Sequence, residues 1–351
     1  MKKLFQAIGA FCRKKNVVLS GKRYGIDALG AMAQGLFCSL LIGTIVKTLG
    51  EQLHIDFLVT IGGFASAMSG PAMAIAIGYA LQAPPLVLYS LAAVGYASNS
   101  AGGAGGPLAV LIIAIIAAEA GKLISKETKI DILVTPLVTI VIGCALSIWW
   151  APAIGTAAAS LGTLINWATE LQPFWMGILI SVLVGIALTL PISSAAICSA
   201  LGLVGLAGGA AVAGCCAQMV GFALMSFKEN RWGGLISQGI GTSMLQMGNI
   251  VKNPRIWIPP IVASAITGPI ATCIFRLEMN GPAVASGMGT CGLVGQIGVY
   301  TGWLETGKQI TSFDWMGLVL ICFILPGVIC CVLGALLRKI NWIKEGDLTL
   351  N

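Results

Sequence analysis

Long apolar stretches separated by short polar connections make up most of the chain. A helix needs about 20 apolar residues to cross a hydrocarbon core that is roughly 30 Å thick. Eight stretches meet or approach that length: 28–47, 57–80, 107–121, 132–151, 173–192, 203–226, 257–275 and 314–337. A ninth, at 85–97, is shorter and ends in SNSAGGAGGP. The pattern predicts an all-α polytopic membrane protein of about 8–10 transmembrane helices, some of them broken or re-entrant.

The composition strengthens this assignment and limits the kinds of functional site that the chain can contain. Of the 351 residues, 57% are hydrophobic and 9% are charged, whereas soluble domains carry about 25% charged residues. Most of the 11 cysteines lie in apolar stretches, which predicts small buried thiols. The only histidine, His54, stands in the polar connection EQLHID. A histidine-based catalytic site in the membrane core is therefore excluded. We expect no metal, no cofactor and no catalytic activity from this chain by itself.

Basic residues predict how the chain is oriented. Seven Lys or Arg occur in the first 26 residues, and no acidic residue precedes Asp27. Because such an excess marks the cytoplasmic side of a span, the net charge of +7 indicates orientation and gives no sign of nucleic-acid binding. An apolar face in this segment predicts a helix at the membrane surface: Leu4, Phe5, Ile8, Phe11 and Cys12. The predicted domains are this basic interfacial helix at 1–26, a single membrane transporter domain at 27–337 and a cytoplasmic tail at 338–351.

Three further basic clusters constrain the number of crossings. They lie at 122–129, 228–255 and 338–344, and all should be cytoplasmic, as should both termini. This requires either that 193–226 re-enters and returns to the same side, or that 153–169 is an extra crossing. Small and polar residues in LPISSAAICSALGLVGLAGG favour re-entry. Between two outer span ends, the stretch 276–303 can likewise dip into the membrane and return.

Gly-Pro pairs mark the predicted breaks. They occur in SGPAMA, GGPLAV, TGPIAT and NGPAVA, where glycine permits a turn and proline suits the first turn of a helix. Inside apolar stretches, SGPAMA and TGPIAT favour simple kinks. Polar, glycine-rich residues precede GGPLAV and NGPAVA, which favours real breaks there. Interrupted helices in two halves of a chain are typical of transporters, and their placement suggests an internal repeat.

The broken regions supply the candidate substrate-binding residues. Non-helical backbone is tolerated at membrane depth only inside protein or beside a water-filled cavity, and polar side chains there are available to a ligand. The candidates are Ser98, Asn99, Ser100, Glu278, Asn280, Thr290 and Gln296. For Glu278, an interfacial ion pair with Arg276 is an equal alternative. The polar segment from 226 to 260 is either a helix on the membrane surface or a gate beside the substrate path.

The sequence at 239–303 resembles a known family, most closely in NPRIWIPP, TGPIAT and NGPAVASGMGT. It is similar to the membrane IIC-type subunits of bacterial sugar phosphotransferase systems, and in particular to the stand-alone, perfringolysin-regulator-like branch. The resemblance implies a homodimeric permease with elevator-like alternating access. Separate IIA and IIB proteins would relay phosphate to the sugar. Many such subunits use a membrane-site histidine, which this chain lacks.

The leading hypothesis is therefore a IIC-like permease for a sugar or a related small polar metabolite, held near mid-membrane. An ion-coupled secondary carrier that does not use phosphotransfer is the first alternative, and a membrane-bound ligand sensor or regulator is the second. In each case the expected location is a bacterial plasma membrane. The expected partners are the lipid bilayer, a second copy of the chain, IIA and IIB phosphocarriers and a small polar substrate, with no nucleic acid.

Overall fold

Helices of very different lengths build the protein. The computed structural model describes residues 10–350, and among these residues it has short 3₁₀ and π segments but no β-strand. In chain order the helices are α1 (Arg23–Leu53), α2 (Asp56–Ala67), α3 (Ser69–Ala80), α4 (Pro85–Gly102), α5 (Gly106–Ile124), α6 (Asp131–Thr169), α7 (Pro173–Thr189), α8 (Ser194–Ala200), α9 (Gly205–Met225), α10 (Phe227–Ile236), α11 (Met247–Lys252), α12 (Pro254–Phe275), α13 (Val294–Glu305) and α14 (Ser312–Lys339).

Length and apolarity qualify many of these helices to cross a membrane. Within residues 10–350 there are six such candidate spans, or seven if the bent pair α2 and α3 counts as one. One of the six is the 40-residue stretch that contains α4 and α5. It folds back on itself, because Gly121 near its end packs against Val87 near its start. The predicted all-α polytopic membrane protein is confirmed.

Two of the Gly-Pro pairs in the first half of the chain coincide with breaks. The α4–α5 reversal occurs at Gly103, whose φ of 49° is a left-handed conformation that glycine adopts without strain, just before Gly106-Pro107. The axes of α2 and α3 differ by 47° at the break before Ser69-Gly70-Pro71. By contrast, Pro269 lies inside α12, which continues as a π segment. The break predicted at GGPLAV is therefore found, and TGPIAT lies within a continuous helix. SGPAMA, where the sequence favours a simple kink, instead lies at a break between two helices.

The contacts divide the chain into two compact units whose sequences are interleaved. The first unit comprises residues 10–40 and 67–156 of the described chain, and the second comprises 41–66 and 157–350. The chain thus leaves the first unit in the middle of α1, forms the end of α1 and α2 within the second, and then returns. This division is finer than the single membrane domain that the sequence suggests at 27–337.

A buried lysine fastens the first unit at one end. Lys122 Nζ lies 2.9 Å from Glu119 Oε2 and donates hydrogen bonds to the carbonyl oxygens of Asn16, at 2.6 Å, and Leu81, at 3.0 Å. Nearby, Lys15 contacts both the Ser125 carbonyl and the Glu127 carboxylate. The N-terminal basic segment and the basic cluster at 122–129 therefore lie together, as the orientation argument requires. Leu4, Phe5 and Ile8 of the predicted surface helix are outside the described residues.

The second unit is organised around α9, which is almost completely buried. Helices α7, α12 and α14 pack against it. Gly214 in the middle of α9 lies directly against the Ser181 carbonyl of α7, so the two backbones approach closely. Small residues allow this kind of helix packing in proteins that span membranes.

Candidate functional site

Two broken segments of the second unit form its most irregular region. The first broken segment is 190–204, and the second is 276–293. Pro191 forces the preceding Leu190 out of the helical conformation, to ψ 159°, and α7 ends there. Ser193 then caps α8 by accepting a hydrogen bond from Ala196 N at 3.2 Å. In the second segment, the left-handed Arg276 ends α12 and precedes Asn280-Gly281-Pro282.

The first broken segment runs back along the unit. Helices α7 and α9 are parallel, because Ser181 meets Gly214 and, further along both helices, Thr189 meets Gln218. The end of α7, at residue 189, therefore lies beside the second half of α9, whereas α9 starts at residue 205. The residues between 189 and 205 must run back along most of the length of α9. This reversal followed by α9 is the geometry that the re-entry predicted for 193–226 requires, and its place in the membrane stays a prediction.

The second broken segment is the inward arm of a hairpin whose other arm is α13. It starts beside the N-terminal end of α9, where Met279 pairs with Gly205. It then descends to Gly289, which packs against Cys215, midway along α9. The return arm brings Gly302 back against the Asn280 backbone. The stretch 276–303 therefore runs in one direction and returns, as predicted, and its dip into the membrane stays a prediction. The regular half-helix predicted after Pro282 is instead a five-residue 3₁₀ turn, Ala283–Gly287.

Direct hydrogen bonds join the two broken segments. Ser194 Oγ donates to the Gly287 carbonyl at 2.7 Å, and Ser286 Oγ donates to the Leu203 carbonyl at 2.6 Å. Gly205 and Met279 exchange two backbone hydrogen bonds, of 2.9 and 3.0 Å. Non-helical backbone in a membrane protein must find hydrogen-bond partners inside the protein. Each broken segment therefore supplies partners for some of the backbone groups of the other.

Two of the predicted site residues stand at this junction with exposed polar groups. Asn280 Nδ2 donates to Glu278 Oε2 at 3.2 Å, and Glu278 is exposed. Arg276 forms no ion pair with Glu278 within 4.0 Å, so the alternative of an interfacial pair between them is not what the structure shows. A methyl group added to Gly205 would lie 4.0 Å from Asn280 Oδ1, so the first broken segment borders the pair closely.

Thr290 and Gln296 lie deeper in the hairpin. Thr290 is fully buried and donates to Met219 Sδ at 3.5 Å. Gln296 is 8% exposed and donates from Nε2 to Cys216 Sγ at 3.2 Å. Its Oε1 is buried and has no hydrogen-bond partner within the described part of the chain. An amide oxygen in that state is an acceptor available to a ligand that reaches it.

Ser98, Asn99 and Ser100 belong to the first unit. Ser98 is fully buried and shares a hydrogen bond with Ser147 at 2.9 Å. Asn99 Nδ2 donates to Ser69 Oγ at 3.2 Å, and Ser100 is exposed. Each of these residues lies near the end of α4, just before the reversal at Gly103. Their assignment to the substrate site stays a prediction.

The sequence analysis missed a buried hydrogen-bond network centred on Gln218. Its Oε1 accepts from Trp257 Nε1 at 2.7 Å and from Thr189 Oγ1 at 3.2 Å, and its Nε2 donates to Ser264 Oγ at 3.2 Å. The network joins α7, α9 and α12 at one level. The available signal was an amide side chain in the otherwise apolar sequence AVAGCCAQMVGFAL.

Comparison with known proteins identifies the family of this chain. The family model described as "Phosphotransferase system, EIIC" matches residues 26–350. The chain belongs to that EIIC family. No curated protein and no solved structure gives a significant match. As an EIIC chain, the protein is a multi-pass membrane component of a sugar phosphotransferase system, a system that works with IIA and IIB components. Its placement in the perfringolysin-regulator-like branch stays a prediction.

Proposed function

We propose that the chain is a permease subunit that binds a sugar where its two broken segments meet, with Glu278 and Asn280 as the first polar contacts. The observation that carries the proposal is the exposed Glu278–Asn280 pair at the hydrogen-bonded junction. A carboxylate accepts hydrogen bonds from sugar hydroxyls, and an amide both donates and accepts. Together they offer complementary partners to adjacent hydroxyl groups.

The deeper part of the hairpin extends this site. Gln296 Oε1 has no partner in the described chain, so a sugar that reached it would satisfy a buried acceptor. Thr290 lies on the same hairpin, close to its inner end. In the proposed transport cycle, Glu278 and Asn280 meet the sugar first, and Thr290 and Gln296 bind it after the hairpin has opened. Elevator-like movement, a homodimer and cytoplasmic termini in a bacterial plasma membrane complete the proposal.

Ligand screening combined with one substitution tests the binding site. The purified protein is heated with individual sugars, sugar acids and nucleosides, because a ligand that binds only the folded state raises the unfolding temperature. With the sugar that gives the largest shift, Glu278→Gln should weaken binding by about 10- to 100-fold, since a hydrogen bond to a charged group contributes about 1.5–3 kcal/mol.

Glu305→Gln is the matched control. Glu305 is an exposed carboxylate at the end of α13, and within the described chain its side chain forms no hydrogen bond or ion pair with either broken segment. We expect the control to bind the sugar as the wild-type protein does. Equal sugar affinity in Glu278→Gln, Glu305→Gln and the wild-type protein would remove Glu278 from the site.

An ion-coupled carrier is the second candidate, and one observation favours it. His54, the only histidine of the chain, is exposed at the end of α1 in a left-handed conformation. Sugar binding that depends on a membrane-site histidine, which the family resemblance implies for many IIC subunits, is therefore not available to this chain. A sensor that binds sugar without transporting it uses the same junction and differs only in the absence of flux.

A further inference from the structure

The C-terminal residues lie in a groove that recognises their backbone. We call 343–350 the strap and 226–253 the cradle. Asn230 in the cradle brackets Thr349: its Nδ2 donates to the Leu348 carbonyl at 2.8 Å, and its Oδ1 accepts from Leu350 N at 2.8 Å. These two hydrogen bonds hold the main chain on both sides of one residue, directly after the turns that the strap forms at 344–348. This contact does not depend on the side chain of Thr349, which is exposed.

A series of buried amides continues this recognition. Gln246 Nε2 donates to both the Leu348 carbonyl, at 2.9 Å, and Gln238 Oε1, at 2.8 Å. Asn249 Nδ2 donates to both the Thr349 carbonyl, at 2.9 Å, and Gln246 Oε1, at 2.8 Å. Gln238 and Gln246 are fully buried. Because buried amides need partners, the strap carbonyls complete the hydrogen bonding of the cradle.

Two apolar side chains anchor the strap. Leu348 is fully buried and Ile343 is 2% exposed, whereas the residues between them are mostly exposed. Asp347 accepts from Asn253 Nδ2 at 2.8 Å. A backbone-bound segment with apolar anchors is the usual arrangement of a peptide in a recognition groove. The buried amides show that part of this region packs within the protein. Both predicted locations of the segment from 226 to 260, on the membrane surface or beside the substrate path, stay predictions.

The cradle supports the inner end of the second broken segment. Gln238 belongs to the π segment Ser237–Gly241, which packs against the 3₁₀ turn Cys291–Leu293. The strap therefore contacts the amide series, the amide series includes Gln238, and the segment of Gln238 contacts the hairpin. Couplings of this kind pass through continuous packed contacts between elements.

We propose that the cradle is a peptide-recognition site occupied by the strap of the same chain, and that release of the strap opens the inner end of the hairpin at Cys291. For its relevance to sugar binding, this inference rests on the proposed function. The release itself does not, because it is detected without any sugar. In this arrangement the C-terminus regulates access to Thr290 and Gln296.

Thiol labelling of the full chain tests the proposal. Cys291 is 1% exposed, and Cys330 in α14 is fully buried and serves as an internal reference. Leu348→Asp removes an anchor and Asn230→Ala removes both bracketing hydrogen bonds. Each should accelerate N-ethylmaleimide labelling of Cys291, located by mass spectrometry, by about tenfold, because two net hydrogen bonds or one buried side chain stabilise the docked strap by at least that factor. Labelling of Cys330 should not change.

A control and a rescue make the outcome decisive. Lys228 forms a 2.8 Å ion pair with Glu345 in which both side chains are more than half exposed, so Lys228→Ala should label like the wild-type protein. A synthetic peptide with the sequence NWIKEGDLTL should restore the protection of Cys291 in Leu348→Asp but not in Asn230→Ala. Unchanged Cys291 labelling in both variants would overturn the proposal. So would equal acceleration at Cys330, because it would indicate general unfolding.

Discussion

At the scale of single residues, the tightest constraint on the site region is a glycine. Gly209, in the first turns of α9, faces the Leu277 carbonyl of the second broken segment, in the space that a side chain would need. We expect Gly209→Ala to destabilise the protein by about 1–3 kcal/mol, because the backbone must shift to admit a methyl group. Thermal unfolding in detergent measures the effect.

Gly63→Ala is the control for that substitution. Gly63 lies in α2, and nothing lies within 4 Å of the position of its added methyl group. Alanine also favours helix over glycine by about 1 kcal/mol, so this variant should be as stable as the wild-type protein or slightly more stable. Equal stability of the two alanine variants would mean that the approach of Leu277 to α9 is not close in solution.

Individual residues were predicted from the sequence to different degrees. Glu278 and Asn280 were selected because a charged group and an amide beside an Asn-Gly-Pro turn stand out between apolar stretches, and their role in binding stays a prediction. Gln218 was missed, because the structural role of one amide in an apolar helix depends on which side chains of other helices face it. Its partners Thr189 and Trp257 are distant in sequence, and no local pattern encodes such a meeting.

At the scale of elements, one ion pair fastens three parts of the first unit. The side chain of Lys122 is 1% exposed, and its ammonium group joins α5 to the N-terminal segment and to the turn after α3. We expect Lys122→Met to destabilise the protein by about 3–5 kcal/mol, because it leaves the Glu119 carboxylate without its buried partner. Thermal unfolding and the yield of folded protein measure the loss.

Lys47→Met removes a comparable lysine from an exposed pair. Lys47 and Glu51 are 3.7 Å apart in α1, and both side chains are half exposed. Exposed pairs one helical turn apart contribute about 0.3–0.5 kcal/mol, so this variant should unfold close to the wild-type temperature. A similar loss in both variants would contradict the special role of Lys122.

The broken elements show where sequence reasoning about elements succeeds and where it ends. The positions of basic clusters, together with small and polar residues, predicted the reversal in 193–226. The basic clusters and the Asn-Gly-Pro turn predicted the hairpin in 276–303. The antiparallel pairing of Gly205 with Met279 was not foreseeable. It depends on the parallel packing of α7 and α9, which is decided by contacts between residues far apart in the chain.

At the scale of the whole molecule, the main prediction is that sugar transport is coupled to phosphorylation of the sugar. In proteoliposomes, we expect sugar to bind to the chain alone and to appear inside as sugar phosphate only when phosphorylated IIB protein is supplied, which gives its phosphoryl group to the sugar and is left as unphosphorylated IIB. The reason is that the chain belongs to the EIIC family, whose system works with IIA and IIB components, so the phosphate comes from a partner.

The alternatives give different flux measurements in the same experiment. Uptake of unmodified sugar driven by an ion gradient alone would contradict phosphotransfer and support the secondary carrier. Binding without flux under every condition would support the sensor. The protein reconstituted with Glu278→Gln is the control, since each of the three functions requires binding at the junction.

The membrane class was evident from hydropathy at this scale, but the interleaving of the two units was not. Hydropathy reports whether a segment prefers lipid and carries no information on which segments share a core. The end of α1 and α2 separate from their sequence neighbours and pack with residues that follow position 156.

This interleaving has a consequence for biosynthesis. Ile45, near the start of the 41–66 segment of the second unit, packs in the mature protein against Gly292, which is encoded 247 residues later. At roughly 5–20 residues per second of translation, α1 and α2 wait about 10–50 s before their partner exists. During that interval all segments of the first unit, up to residue 156, have been translated, whereas 41–66 still lacks its native partners. Segment 41–66 must therefore be stable in the membrane before its native neighbours are made. Until then, lipid or the insertion machinery has to contact the surfaces that those neighbours later cover.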